Sequence, residues 1–230
     1  MKGYKAALFD LDGVIVDTAK YHYQSWKRLA ESLGFEFTLG DNERLKGVSR
    51  MRSLEILLEI GNINNVNHSQ KEEFCKIKNN WYIEYISKMD KSEVLKGTYE
   101  TIAFLRKNGI KTALVSASKN ADMILKKLEL EHLFDVVIDG NGVENPKPNP
   151  EVFFKAAEAL DVPPYDCVVF EDACAGIKAA RRGGMYAIGI GNAVQLADAD
   201  TVIQGLYEVD KISWLFNLVN HSENRIAMNI

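Results

Sequence analysis

The chain has 230 residues, with 28 Lys and Arg against 32 Asp and Glu, so its formal net charge is −4. Hydrophobic residues make up 47% and charged residues 26%, proportions that are typical of folded globular chains and exclude a disordered one. The acidic balance and the lack of any apolar run near ~18 residues argue against nucleic-acid and membrane partners.

The cysteines and the N-terminal residues indicate the cellular compartment of the protein. Cys75, Cys167 and Cys174 are an odd number without C-x-x-C spacing, which predicts free thiols rather than disulfides or a metal site. The N-terminal stretch carries acidic residues from Asp10 onward, unlike a signal peptide. We therefore expect a protein of the reducing cytoplasm.

A strand and then a block of helices are predicted first along the chain. Residues 5–9 form a short apolar run, which is typical of a buried strand. Apolar residues then recur at three- and four-residue steps, which predicts helices. Residues 18–92 are thus expected to be all-helical, with Trp81 and Tyr85 on the core-facing stripe of the last helix.

Strands and helices alternate after Gly97. The predicted strands cover residues 111–115, 136–138, 167–170 and 186–190, and the predicted helices cover 99–108, 121–128, 151–160 and 175–182. Such alternation predicts a parallel sheet with helices on both faces, and the first strand joins it because a lone strand could not be buried among helices. We predict an α/β core domain, residues 1–17 and 93–230, with residues 18–92 inserted as a helical cap domain.

Polar side chains cluster at the predicted carboxyl ends of the strands, where ligands bind in open α/β sheets. They are Asp10, Asp12, Ser116, Lys147, Glu171 and Asp172. One Asp-x-Asp after a strand is most often a turn, but coincidence at four separate segments is a poor explanation. Neighbouring carboxylates repel one another unless a cation joins them, and a set of oxygen donors favours Mg²⁺. A carboxylate beside a metal and a lysine is suited to forming an aspartyl phosphate.

Four segments resemble the motifs of the haloacid dehalogenase superfamily of phosphotransferases. They are residues 9–14 (FDLDGV), 115–118 (VSAS), 146–148 (PKP) and 170–173 (FEDA). Within that superfamily, residues 45–50 (LKGVSR) and 116–120 (SASKN) resemble the β-phosphoglucomutases. The resemblance implies a Rossmann-like α/β core with a parallel sheet and an inserted all-helical cap.

The resemblance also implies a role for each motif residue. Asp10 would be the nucleophile that carries the phosphoryl group, and Asp12 would be the general acid and base. The protein ligands of Mg²⁺ would be Asp10, the backbone carbonyl of Asp12, Glu171 and Asp172. The transferring phosphate would be held by Ser116 and Lys147.

Further residues would hold the rest of the substrate. The other phosphate of a sugar bisphosphate would be bound by Arg50, Ser118, Lys119 and Asn120. The remaining substrate- or phosphate-binding residues, at the cap side of the sugar site or its hinge, would be His22, Trp26, Lys46, Gly47, Val48, Ser49, Ser53 and Ala117. Ala173 departs from the family pattern, because a serine is more frequent there and its hydroxyl could bond a metal ligand.

The implied activity is interconversion of β-D-glucose 1-phosphate and glucose 6-phosphate through phospho-Asp10 and β-glucose 1,6-bisphosphate. We expect a monomer whose partners are small sugar phosphates. Two alternatives stay open: a sugar-phosphate phosphatase, which uses water instead of a sugar hydroxyl, and a non-catalytic sugar-phosphate sensor. A second phosphate site would favour the mutase. The sensor is disfavoured by the presence of Asp10, Asp12, Lys147 and Asp172.

Overall fold

A six-stranded parallel sheet organises the computed structural model, which describes residues 3–216. The strands are β1 (Ala6–Phe9), β2 (Lys111–Val115), β3 (Val136–Ile138), β4 (Cys167–Glu171), β5 (Tyr186–Ile190) and β6 (Thr201–Ile203). Their order is β3-β2-β1-β4-β5-β6, and every neighbouring pair is parallel. The predicted α/β fold is confirmed, and β1 lies between β2 and β4 as a central strand.

The last strand, β6, was not predicted from the sequence. It has three residues at the edge of the sheet and pairs with β5 only. Ile203 is buried, while Thr201 and Val202 are half-buried. No helix separates β5 from β6 in the described structure, so the alternation of strand and helix that indicated the other strands is absent here.

Eight α-helices accompany the sheet within the described residues. They are α1 (Ala19–Ser32), α2 (Leu39–Asn42), α3 (Arg50–Ile60), α4 (His68–Ile86), α5 (Thr98–Lys107), α6 (Ala121–Leu128), α7 (Glu151–Ala159) and α8 (Cys174–Arg182). The prediction that residues 18–92 contain helices and no strand is confirmed. The limits of the two domains stay a prediction, and residues 1–2 and 217–230 of the expected core lie outside the described residues.

Alternate residues of each strand face opposite sides of the sheet. In β1, Ala7 and Phe9 pack on the side of α5 and α6, whereas Ala6 and Leu8 pack on the side of α7 and α8. Both faces are buried, which explains why the strands are nearly continuous apolar runs. Polar residues begin where the strands end, so the carboxyl edge of the sheet carries the candidate site.

The helices between β1 and α5 share an apolar core of their own. Its buried members include Trp26, Leu29, Phe37, Leu54 and Leu57. A capping box starts α4, since Asn67 and Gln70 each accept the backbone N–H of the other at 2.9 Å.

The buried face of α4 differs from the predicted one. Trp81 and Tyr85 are only half-buried. The buried residues of α4 are Cys75, Lys78, Tyr82 and Ile86. Trp81 packs against this core as predicted, but the fully buried stripe of α4 includes Lys78, which the apolar pattern excluded.

Two chain segments join helices α1–α4 to the sheet. The N–H of Leu95 donates to the carbonyl of Ile15 at 2.9 Å, and the N–H of Asp17 donates to the carbonyl of Glu93 at 2.8 Å. Helix α1 follows directly from the loop after β1, so its first turn lies beside Asp12.

The predicted state of the cysteines is confirmed. All three are free, with Cys75 and Cys167 buried and Cys174 exposed. In the described part of the chain, residues 3–216, none of the helices combines the length and apolar character needed to cross a membrane.

Candidate active site

The loop after β1 presents two carboxylates to the same space. The backbone N–H of Asp12 donates to Oδ2 of Asp10 at 3.0 Å, which fixes the nucleophile candidate from its own chain. Gly13 follows with a φ of +83°, and a Cβ there would lie 2.3 Å from Oδ2 of Asp172. Only glycine therefore lets this loop approach the carboxylate that follows β4.

Lys147 joins the loop after β1 to the end of β4. Its Nζ donates to Oδ1 of Asp10 at 2.6 Å and also to Oε1 of Glu171. Burial by itself would lower the pKa of Lys147, but the charges of Asp10 and Glu171 raise it above its ordinary value. The side chain is buried and stays an ammonium, so it is suited to holding an anion beside Asp10. The peptide bond between Lys147 and Pro148 is cis.

The carboxylates at this edge form a group that fits a divalent cation. One oxygen from each of Asp10, Glu171 and Asp172 lies within 4.8 Å of the others. Burial raises the pKa of Glu171 and of Asp172, and the charges of the neighbouring carboxylates raise both further. The single positive charge of Lys147 does not neutralise these three carboxylates, so the group has room for a bound cation. Hard oxygen ligands favour Mg²⁺.

Position 173 has an alanine where a serine was expected, and the backbone of Ala173 holds Glu171 instead. The N–H of Ala173 donates to Oε2 of Glu171 at 3.0 Å. This bond needs no side chain, so the departure from the family pattern does not leave that carboxylate oxygen without a donor.

Asp12 lies at the junction of the sheet and the cap helices. The hydroxyl of Thr18 donates to its Oδ1, and Nε2 of His22 lies 3.7 Å from the same oxygen. Burial and the charge of Asp10 raise the pKa of Asp12 to about 6, although the Thr18 bond opposes this. A carboxyl group with such a pKa is suited to both accepting and returning a proton near neutral pH.

Lys78 is a site residue that the sequence reading missed. Its Nζ lies 2.9 Å from Nδ1 of His22 and 4.7 Å from the ring centroids of both Trp26 and Tyr82. When Lys78 is protonated its ammonium only donates, so Nδ1 of His22 then accepts and the ring proton is on Nε2, facing Asp12. Burial and then Arg50 lower the pKa of Lys78 to about 7. The only signal in the sequence was a lysine at helical spacing from buried Cys75 and Tyr82.

A cavity of about 390 Å³ lies between the cap helices and the carboxyl edge of the sheet. Its walls include most of the predicted site residues: Asp10, Asp12, His22, Trp26, Lys46, Gly47, Val48, Ser49, Arg50, Ser53, Ser116, Ala117, Ser118, Lys119, Lys147 and Asp172. Two predicted residues, Glu171 and Asn120, are buried behind the wall. The fold therefore brings the predicted set together, while the role of each residue stays a prediction.

Asn120 connects the sheet side of the cavity to the cap side. Its Nδ2 donates to Oδ1 of Asn79 in α4 at 2.9 Å. Its backbone N–H donates to the hydroxyl of Ser118 at 3.2 Å, so a hydrogen bond within the loop after β2 stabilises the conformation of that loop. Asn79 was not identified from the sequence, because this contact joins residues far apart in the chain.

Two cations face the cavity from opposite sides. Arg50 is the first residue of α3, whose N-cap Ser49 accepts the N–H of Arg52 at 3.3 Å, and Lys119 follows β2. Neither side chain makes a hydrogen bond or ion pair with another residue in the described part of the chain. Gly47, also in the cavity wall, has a φ of +70°, and a Cβ there would lie 2.7 Å from Cβ of Ala173.

Comparison with known proteins agrees with this geometry. A family model described as haloacid dehalogenase-like hydrolase matches residues 4–184. The chain belongs to that family. Its four motif segments and its sheet order place the carboxylates and Lys147 of this family member at one edge.

Individual relatives show which members of the family this chain resembles. A β-phosphoglucomutase of Bacillus subtilis is 41% identical over 87% of this chain and 89% of its own length. The structure of a β-phosphoglucomutase from Clostridium difficile superposes with a TM-score of 0.88 at 38% identity, covering 93% of this chain and 97% of that one. A phosphorylated carbohydrates phosphatase of Thermotoga maritima is 33% identical over 80% of this chain and 83% of its own length.

Proposed function

We propose that this protein is a β-phosphoglucomutase, an isomerase that interconverts β-D-glucose 1-phosphate and glucose 6-phosphate. Relatives with that name match nearly the whole chain at 41% and 38% identity. Within the site, the observation that carries the proposal is the pair of unpartnered cations, Arg50 and Lys119, in the same cavity as Asp10. A bisphosphate intermediate requires a second anion site, and these two side chains supply it.

Asp10 is positioned to carry the phosphoryl group. Each oxygen of its carboxylate accepts one hydrogen bond, from Lys147 and from the N–H of Asp12, which fixes the direction of the carboxylate. The C6 hydroxyl oxygen of glucose 1-phosphate attacks the phosphorus of phospho-Asp10, and the bond from phosphorus to the Asp10 oxygen breaks. After the bisphosphate reorients, Asp10 takes the phosphoryl group from C1, and glucose 6-phosphate leaves.

Asp12 handles the proton in both half-reactions. It accepts the proton of the attacking C6 hydroxyl, and it later returns a proton to the C1 oxygen. Its raised pKa, about 6, matches a group that must be found in both protonation states at neutral pH. The Thr18 hydroxyl and the His22 ring orient it.

Mg²⁺ is the cofactor that we propose for the carboxylate group. Asp10, Glu171, Asp172 and the backbone carbonyl of Asp12 would hold it. When bound, it supplies positive charge that neutralises the oxygens of the transferring phosphoryl group. Lys147, with its ammonium beside Asp10, adds positive charge from the protein itself.

A sugar-phosphate phosphatase is the alternative function, and it is supported by the phosphatase relative that is 33% identical to this chain. A phosphatase needs one phosphate site and a water, so it has no use for a pair of cations in addition to Lys147. We also propose a monomer that acts on small sugar phosphates. The free cysteines support a cytoplasmic location.

The decisive experiment compares products from two anomers. Protein with Mg²⁺ and a catalytic amount of β-glucose 1,6-bisphosphate is given β- or α-glucose 1-phosphate, and glucose 6-phosphate and free phosphate are both followed. We expect glucose 6-phosphate from the β anomer with little free phosphate. Stoichiometric free phosphate instead would show a phosphatase, and a wild-type rate in Asp10→Asn would refute the phospho-aspartate.

A further inference from the structure

Five charged or amide side chains that line the cavity make no hydrogen bond or ion pair with another residue among residues 3–216. They are Asn42, Arg50, Lys119, Glu144 and Asp172. The proposed function uses three of them, Arg50 and Lys119 for phosphate and Asp172 for the metal. Glu144 is exposed at the surface, so solvent satisfies it. Asn42 is the one that remains, and it is only 6% exposed.

Asn42 has no structural task for its side chain in the described structure. It ends α2 and precedes the 3₁₀ turn at Glu43–Leu45, but its side chain makes no capping bond there. Its place is set by the backbone, whose N–H donates to the carbonyl of Thr38 at 3.2 Å. The amide atoms of Asn42 are not among the fully enclosed polar atoms that lack a partner in the described structure, so they are open to the cavity that the residue lines. A molecule bound in the cavity can therefore complete their hydrogen bonds.

The chemistry of the cavity wall indicates what that molecule offers. On the cap side, the cationic Lys46 and Arg50 only donate hydrogen bonds. The other polar groups there already have partners, since Lys78 bonds to His22 at 2.9 Å and the hydroxyl of Ser53 donates to the carbonyl of Leu45 at 3.3 Å. Asn42 is uncharged and can both donate and accept. A sugar hydroxyl also donates and accepts, so it matches an amide better than a phosphate does.

We infer that Asn42 binds a ring hydroxyl of the sugar and thereby discriminates among sugar phosphates, an assignment that rests on the proposed sugar-phosphate function. The amide contacts the substrate directly and takes no part in the transfer of the phosphoryl group. Since it bonds to no protein group, its loss should weaken sugar binding without weakening the fold.

The test combines Asn42→Leu, which keeps the size and removes the polar atoms, with sugars that lack one hydroxyl. kcat/KM is measured for β-glucose 1-phosphate and for its 2-, 3- and 4-deoxy analogues. We expect Asn42→Leu to lower kcat/KM for the glucose compound about tenfold, as for one lost uncharged hydrogen bond. For one analogue, the wild type and the variant should agree within about twofold, because the bonded hydroxyl is already missing.

Controls separate this role from a structural one. Asn65→Leu changes an exposed asparagine of the cap segment outside the cavity wall and should alter none of these values. Asn42→Leu should unfold at the temperature of the wild type and should accept phosphate on Asp10 from acetyl phosphate, which has no sugar, at the normal rate. A loss under twofold with glucose, or an equal loss with every sugar and with acetyl phosphate, would overturn the assignment.

A failure of the proposed function has a different signature. In that event the wild type makes no glucose 6-phosphate, and binding is followed instead by the fluorescence of Trp26, which lines the cavity. Asn42→Leu should then still raise the Kd of glucose 6-phosphate about tenfold. An unchanged Kd would overturn the role of Asn42 whatever the reaction is.

Discussion

Replacing Arg50 by alanine should separate the second phosphate site from the transfer site. Arg50 is the first residue of α3 and makes no ion pair with any residue in the range 3–216, so its guanidinium is available for an anion in the cavity. Alanine is a good helix former, so α3 should persist. The loss should therefore fall on the substrate and leave the fold intact.

The magnitude follows from the bonds that Arg50 can make. A guanidinium can hold a phosphate through two parallel charge-assisted hydrogen bonds, each with a net value of about 1.5–3 kcal/mol. Two such bonds at the lower value give about 3 kcal/mol, or a loss in kcat/KM of about 100-fold. Lys119 remains on the opposite wall, which is why we expect the lower value.

The assay compares two reactions in each protein. One is isomerisation of β-glucose 1-phosphate, and the other is phosphorylation of Asp10 by acetyl phosphate, which has no second phosphate. Arg50→Ala should slow the first about 100-fold and the second by less than about threefold.

Arg52 offers a matched control two positions along the same helix. It is exposed and pairs with Glu55 at 3.1 Å and with Glu59 at 3.3 Å. Arg52→Ala should leave both reactions within about threefold of the wild type, as expected for surface ion pairs. An equal loss of rate in both reactions of Arg50→Ala would refute the separation of the two sites. No loss of rate in either reaction would favour the phosphatase over the mutase.

Three further changes test the rest of the site. Asp12→Asn should slow isomerisation by about 10²–10⁴, the usual share of general acid–base catalysis, and a rate within fivefold of the wild type would remove Asp12 as the proton carrier. Lys78→Met should raise the free energy of unfolding at pH 6 by about 1–4 kcal/mol, because a buried charge is replaced by an apolar side chain of similar length. Since burial lowers the pKa of Lys78 from 10.5 to about 7, the unfolded chain binds more protons between these values, and wild-type stability rises with pH across that range. Urea unfolding at pH 6 and 9.5 should therefore show a smaller gain at the higher pH, and equal gains would contradict the burial of a charge. Gly47→Ala places a Cβ 2.7 Å from that of Ala173 at a φ of +70°, so kcat/KM should fall at least about tenfold, and an unchanged value would show that the cap does not need this approach.

Much of the fold was readable in the sequence because its signals are local. The apolar runs of β1, β2 and β4 end in polar residues, since both faces of the sheet are buried and only the strand ends meet solvent or ligand. Periodicity found helices α1, α3 and α4, but it did not find every buried residue of α4. The buried face of α4 contains Lys78, and a pattern of apolar residues gives a lysine no place in a core.

The sequence by itself determined which chemical groups the site contains, because the acidic and basic residues at the strand ends carry their chemistry wherever they fold. Only the tertiary structure decided which of them meet. Lys147 reaches Asp10 across 137 positions of sequence, and Lys78 reaches His22 across 56. Such contacts arise from packing that no local pattern encodes. The same holds for Asn42, since an amide left without a partner is recognised only when every neighbouring donor and acceptor has been placed.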